Sequence, residues 1–301
     1  TVYAWGWGQY GQLGNGYTTN RDDTDYYSYE KIYSAPVQVL NGAQTSETGY
    51  LKEVVQIDAM GGTGRGEKNR FGTSLAVTES KEVYGWGNSL YGALGVKSSI
   101  VSKPVRVGTD ISNAVQVAGG SKSGSDDYHV NSIGNTGYTY ILKEDGTVSS
   151  LGYNVNGELG NGAKASTTAV QKVSNLTEIM QVAGSKNGNF GAAVKEDGTV
   201  WTWGNNTNGQ LGNNSTENSS SPVQVKSADG NTFLTNIIEI SAGSGHNMAL
   251  RNDGTVWTWG SNTYGQLGNG SSVNSMLPVQ VKSADGNSFL TDVVQISAGY
   301  V

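Results

Sequence analysis

Trp203-Gly204-Asn205-Asn206-Thr207-Asn208-Gly209-Gln210-Leu211-Gly212 decides the fold, because the chain writes this phrase repeatedly. Trp-Gly, four residues, then Gly-x-Leu-Gly runs from Trp5 to Gly14, Trp86 to Gly95, Trp203 to Gly212 and Trp259 to Gly268. A further copy, Leu151 to Gly160, carries leucine in the tryptophan's place. Successive copies begin 81, 65, 52 and 56 residues apart. Repetition at such a period marks an array of structural units rather than a string of separate domains. The chain is therefore read as one repeat-built domain over 1–301, with units near 1–60, 61–119, 120–184, 185–243 and 244–301.

Working outward from the phrase, the last two copies align without a gap from Val200 to Gly243 and from Val256 to Gly299. One unit reads as four strands. Ile238-Glu239-Ile240-Ser241-Ala242-Gly243 alternates apolar and polar residues, and His246 to Arg251 follows as the second strand. Asp253-Gly254 then supplies the residue pair of a two-residue hairpin. Thr255 to Gly260 is the third strand, and a Gly-rich loop leads to the fourth, Pro278-Val279-Gln280-Val281. All 7 tryptophans lie in or beside third strands, and all 4 prolines open fourth strands, with Ala169 in that place in the third copy.

Composition agrees. Glycine is 44 of 301 residues, roughly twice the usual ~7%, and its even spread among Val, Thr, Tyr and Trp indicates many tight turns between short strands. The net charge of −6 and pI near 5.0 argue against nucleic-acid or polybasic membrane binding. No apolar run reaches the ~18 residues of a spanning helix, so no membrane insertion is expected. Zero cysteines exclude disulfides and thiolate metal sites. The N-terminus, Thr1 to Trp5, reads as a strand inside a repeat rather than as a leader. A cysteine-free chain rich in Asn, Ser, Thr and Tyr suits an extracellular or cell-surface protein, bacterial by this compositional leaning.

Four antiparallel strands per unit with no helical periodicity describe β-propeller blades. No Trp-Asp dipeptide supports WD repeats, whose period is ~40–45 residues. Kelch blades rest only on Gly61-Gly62 and Gly119-Gly120. The phrase resembles the repeat of the regulator of chromosome condensation family. The pieces that carry the likeness are Gln295 to Gly299, Gly245-His246 with Met248-Ala249-Leu250, Asp253-Gly254-Thr255-Val256, Trp259-Gly260 and Gly265-Gln266-Leu267-Gly268. The resemblance implies a propeller, seven-bladed in other members. It also implies roles ranging from guanine-nucleotide exchange on a small GTPase, through inhibition of β-lactamases, to repeat modules of bacterial surface proteins. This chain departs from the seven-bladed pattern: it holds five copies, starts in a third strand and ends after a first strand, Val294 to Gly299. Two readings follow, a piece of a larger propeller or a ring with one strand supplied from elsewhere.

Strand parity sets the expected working face. In an up-and-down blade, the first-to-second and third-to-fourth loops share one face. The three long insertions, Tyr17–Ala35, Gly61–Arg70 and Ser121–Gly137, all belong to that set. Long loops on a rigid scaffold are where binding concentrates. Tyr17, Tyr26, Tyr27, Tyr29 and Tyr33 beside acidic residues suit contact with a protein or glycan, and equally suit a solvated loop whose rings pack locally. Arg65, Asp126, Asp127 and His129 complete the candidate set, with Met276 and Leu277, which replace Ser220 and Ser221 of the preceding copy. That apolar pair marks either a contact or a cover for a neighbouring blade.

Catalytic chemistry finds little support. His246 occupies a place held by Phe190, Tyr138 and Thr73 in other copies, which indicates packing. Asp22, Asp23 and Asp25 alternate like the start of a calcium loop but lack its sixth-position Gly and twelfth-position Glu. Asp126, Asp127 and His129 read as a solvated acidic loop rather than a cation site. Gly61 to Gly66 lacks the Lys-Ser/Thr and helix of a phosphate cradle. Glu144-Asp145 and Glu196-Asp197 fall on equivalent hairpin turns. The expectation is a noncatalytic binding or structural module without cofactors, whose partner is a protein, a glycan or another copy of itself. The alternatives are a protein-binding inhibitor or exchange-factor-like regulator and, further off, an enzyme with a channel site.

Overall fold

In the computed structural model, residues 1–8, 10–18, 32–44, 49–61, 72–122 and 136–299 are described. The described residues form an all-β array. An N-terminal two-stranded sheet pairs β1 (Tyr3–Trp7) with β2 (Ile32–Gln38). The first blade is β3 (Val54–Gly61), β4 (Gly72–Thr78), β5 (Val83–Asn88) and β6 (Ile100–Arg106). The second is β7 (Ala114–Lys122), β8 (Thr136–Lys143), β9 (Val148–Gly152) and β10 (Thr167–Lys172). The third is β11 (Ile179–Gly184), β12 (Phe190–Lys195), β13 (Val200–Gly204) and β14 (Ser219–Gln224). The fourth is β15 (Ile237–Ala242), β16 (His246–Arg251), β17 (Val256–Gly260) and β18 (Ser275–Gln280). Each blade is antiparallel in sequence order.

The hairpin between second and third strands differs from expectation. Arg251 N donates to Thr255 O at 2.9 Å, so three residues, not two, form the loop. Only Gly254 takes a positive φ, +79°, which is the geometry of a type I turn closed by a left-handed residue. Asp253 Oδ1 accepts from Thr255 N at 3.0 Å and from its Oγ1 at 2.6 Å. Those donors hold the Asp253 carboxyl below its usual range, and Asp145 and Asp197 repeat the arrangement.

The prolines do not open the fourth strands. Pro222 lies inside β14, where the register jumps from Thr202↔Val223 to Gly204↔Ser219. A bulge leaves its absent N–H without a ladder partner to miss. The same register places Val170, rather than Ala169, at the proline's position in the second blade, because Gly152 pairs Thr167 and Ser150 pairs Gln171. Val294 to Gly299 lies beside β15, with Ala298 N donating to Ser241 Oγ at 2.9 Å, and joins no ladder among the described residues.

Consecutive blades are joined at their first strands. Gln56 Oε1 accepts from Val117 N at 2.9 Å while its Nε2 donates to Val117 O at 3.1 Å. Gln116 does the same to Val182, at 3.0 and 3.1 Å. Gln181 accepts from Ile240 N at 2.8 Å, and Glu239 from Ile296 N at 3.3 Å. An amide can both donate and accept, whereas an ionised carboxylate only accepts. The first strands therefore lie side by side and parallel, which fixes a common face for every blade.

The repeated phrase is the interblade socket. Trp259 Nε1 donates to Gln210 O of the preceding blade at 2.9 Å, and the indole lies over Gly212, where an added Cβ would meet Nε1 at 2.9 Å. Leu211 is fully buried beside it. Trp203 donates to Glu158 O at 2.8 Å over Gly160, and Trp86 to Gln12 O at 2.9 Å over Gly14. The glycine after each tryptophan is needed as well: at Gly204 φ is +101° and a Cβ would stand 2.5 Å from Asn189 O. Buried residues accordingly gather into clusters between blades rather than one central core.

Candidate partner-binding face

The strand ends that bear the insertions meet on one face. Trp7 pairs Ile32, Gly61 pairs Gly72 and Lys122 pairs Thr136, so the connections that follow β1, β3 and β7 leave from the same end of adjacent, parallel-set blades. Of the residues singled out from the sequence, Tyr26, Tyr27, Tyr29, Arg65, Asp126, Asp127 and His129 lie outside the described residues, as do Asp22, Asp23 and Asp25.

Tyr17 is described and 64% exposed, its N–H donating to Asn15 Oδ1 at 3.3 Å. Tyr33 belongs to β2 rather than to the insertion, and its half-buried ring lies 3.4 Å from where a Cβ on Gly8 would sit. Met276 and Leu277 are strand residues of β18. Met276 sits over Gly209 and Leu277 against Gly230, so both pack on the third blade while Met276 stays 41% exposed.

One feature of this face had no signal in the sequence. Lys186, in the β11–β12 loop, reaches across the second blade to Asp58 on β3, with Nζ 2.9 and 3.0 Å from the two carboxylate oxygens. Its ammonium also approaches Ala59 O and Gly119 O at 3.3 and 3.4 Å, while Asp58 Oδ2 accepts from Gly119 N at 2.7 Å. This half-buried pair ties three blades together between the roots of two insertions. The partners are 128 residues apart, so no local spacing foreshadows them.

Beneath the face, Tyr138 donates to Phe190 O at 2.7 Å and Trp203 Nε1 to the Tyr140 hydroxyl at 3.0 Å. Burial pushes both phenols well above their ordinary range, so both hydroxyls stay protonated and donate, Tyr140 to Glu158 O. Glu158 is buried nearby and burial raises its carboxyl; its oxygens accept from Asn156 N and Nδ2 at 2.8 and 2.9 Å. His246 is buried and its imidazole is held below its usual range by desolvation. These groups are buried between strands. Among the described residues no group of three or more His, Asp or Glu is placed to hold a metal ion, and no helix is long and apolar enough to cross a membrane.

Comparison with known proteins agrees with this geometry. The model of the regulator of chromosome condensation (RCC1) repeat matches residues 1–59, 81–123, 197–250 and 253–300. The Arabidopsis thaliana ultraviolet-B receptor UVR8 is 26% identical over 302 residues, covering 99% of this chain and 57% of the receptor. The crystal structure of human WBSCR16 is similar with a TM-score of 0.67 and 21% identity, over 99% of this chain and 65% of that one. Yeast RCC1 (Prp20), crystallised with Kap60 bound, gives a TM-score of 0.67 at 20% identity, over 99% of this chain and 60% of that one. The chain thus spans less than two thirds of the length of each. Its repeated phrase is an interblade socket and the family's repeat model matches along most of its length: the chain belongs to the regulator of chromosome condensation (RCC1) repeat family of β-propellers.

Proposed function

We propose that the chain is a noncatalytic binding module, extracellular or on a cell surface, that engages a protein or glycan through the face bearing the three insertions. The observation that carries this reading is the convergence of the long β1–β2, β3–β4 and β7–β8 connections on one end of blades locked together by indole and glutamine contacts. A rigid scaffold with variable loops on one side is the arrangement binding proteins use. The composition, free of cysteine and rich in Asn, Ser and Thr, supports placement outside the cell.

The test is loop exchange. Replacing residues 62–71 and 123–135 by the short connection of the third blade, 185–189, leaves the fold intact and abolishes partner capture by a photocrosslinker placed at Tyr17. Capture that persists in the loop-exchanged chain, or maps to the opposite face at Asp145, Asp197 and Asp253, contradicts the proposal.

A second reading is regulation of a globular partner by inhibition or nucleotide exchange. It draws on the fold shared with yeast RCC1, a protein crystallised with Kap60 and studied for binding to Gsp1p and histones. Accelerated nucleotide release from a small GTPase, lost on the same loop exchange, would favour it over the surface module.

A further inference from the structure

The seam between the first and second blades is built differently from the others. Elsewhere an indole donates to a main-chain oxygen of the preceding unit, and a second side chain donates to the same atom. Gln12 O receives Trp86 and Ser74, Glu158 O receives Trp203 and Tyr140, and Gln210 O receives Trp259 and Asn247. Ala93 O receives Thr139 alone, at 2.7 Å, with Leu151 standing where the indole would be. An added Cβ on Gly14, Gly160 or Gly212 would meet the indole at 2.9 Å, whereas on Gly95 it would first meet Leu151, at 3.4 Å. Ala93 also lacks the side-chain acceptor that holds the loop at Gln12, Glu158 and Gln210. Tyr91, two residues before it, stands at φ +63°, a conformation that stores strain in any residue but glycine.

What closes this seam is aliphatic. Leu94 and Val107 of the first blade share a buried cluster with Val117, Ile141 and Leu151 of the second, and the side chain of Met60 covers Gly119. Apolar contacts are non-directional, and a thioether accommodates shifts of its neighbours. The same seam is crossed by Lys186, which starts on the third blade, passes Gly119 of the second and ends on Asp58 of the first. The glutamine and indole bonds join adjacent blades; this pair skips one. On the opposite face the seam carries the Lys81–Glu144 pair, which is exposed and contributes little.

We propose that the seam between the first two blades is a hinge, and that the Lys186–Asp58 pair is an ionic strap holding it closed on the insertion face. Gly61 and Lys122, the last residues of β3 and β7, lie on either side of the hinge. Opening it therefore changes the spacing between the roots of two insertions. A half-buried ammonium–carboxylate contact is weakened by salt, which makes that spacing a function of ionic strength. The bearing of the hinge on partner capture rests on the reading of the insertion face as the binding face.

The chain has no cysteine, so two introduced thiols carry nitroxide labels at known places. Ser99→Cys with Lys164→Cys spans the hinge, and Lys164→Cys with Thr216→Cys spans the indole-closed seam beside it. All three positions are exposed, in equivalent loops of three blades. Distances are read by double electron–electron resonance on the chain alone. The first pair is expected to lengthen and broaden at ~1 M salt, where the screening length is about 3 Å, and the second to stay fixed. Asp58→Asn, which keeps an acceptor for Gly119 N, and Lys186→Met are each expected to show the open distance already at low salt. A first-pair distance unmoved by salt overturns the proposal, as does an equal change across both seams. A folded Asp58→Asn or Lys186→Met chain that matches the parent at low salt also overturns it. The salt series uses the parent's own strap, so it decides the matter even where a strap variant misfolds. No partner is present, so these outcomes stand whether or not loop exchange abolishes capture.

Discussion

Glu158 is a carboxylate where other copies of the phrase place Gln12, Gln210 and Gln266, each accepting a 2.8 Å hydrogen bond from the backbone two residues earlier. Glu158 makes the same bond but carries a buried charge with no cation against it. Its folded-state pKa is raised, so the folded form is favoured at low pH and loses that advantage as pH rises through the ordinary glutamate range. Glu158→Gln should stabilise the protein at neutral pH by about 1 kcal/mol, the scale of a buried polar mismatch. The gain should vanish in acid, read as converging thermal melts. His246 has the opposite sign. Its Nδ1 is buried without a partner and its folded pKa is lowered, so stability falls as pH drops below the ordinary histidine value. His246→Phe, which copies Phe190, should remove that acid-side loss; a melt that still falls equally in mild acid would refute the assignment. Lys81 takes φ +60° where other hairpins have Gly146, Gly198 or Gly254, and its ion pair with Glu144 is exposed. Lys81→Gly should raise the denaturation midpoint, with relief of left-handed strain of up to ~1 kcal/mol outweighing a surface pair worth little.

At the scale of strands and blades, the indole is the element that joins neighbours. Trp203→Ala or Trp259→Ala should each cost about 3–5 kcal/mol, measured by urea unfolding. Trp5→Ala in this chain should cost less, because its ring is exposed. The sequence revealed this level well. Alternation in Ile238 to Gly243 and the Asp-Gly turns set the strands, and the repetition of the phrase holding Leu211 and Trp259 marked the blade unit. Turn type was less legible, since whether Asp253 or only Gly254 takes positive φ depends on where the ladder closes. Proline placement failed for a related reason: a bulge shifts register without changing the spacing of residues. The Lys186–Asp58 bridge was invisible because its partners stand 128 residues apart and meet only when three blades are assembled, and the candidate loops were legible only as positions on a face. Their chemistry depends on conformations that composition does not determine.

For the whole molecule, the division of the core into interblade clusters has a consequence for unfolding. The N-terminal sheet, first blade and part of the second share one large cluster, whereas the fourth blade's outer cluster is limited to Leu250, Val256 and Ile296 with a few half-buried neighbours. Units that contact only their neighbours open locally where the shared cluster is smallest. Hydrogen exchange should therefore release the amides of β17 and β18 before those of β12 and β13. Simultaneous exchange of all four blades would indicate a single cooperative unit instead.

The indole's acceptor is a main-chain oxygen, that of Gln12, Glu158 or Gln210, and this has a genetic corollary. Main-chain atoms are the same whatever the codon, so the residue between Gly and Leu can be Gln12, Gln210 or Glu158 without disturbing the indole's seat. A gene segment encoding one blade can then be duplicated, deleted or transplanted and still find a fitting neighbour on either side. Recombination can lengthen or shorten such an array one blade at a time, leaving point mutation free to work on the loops.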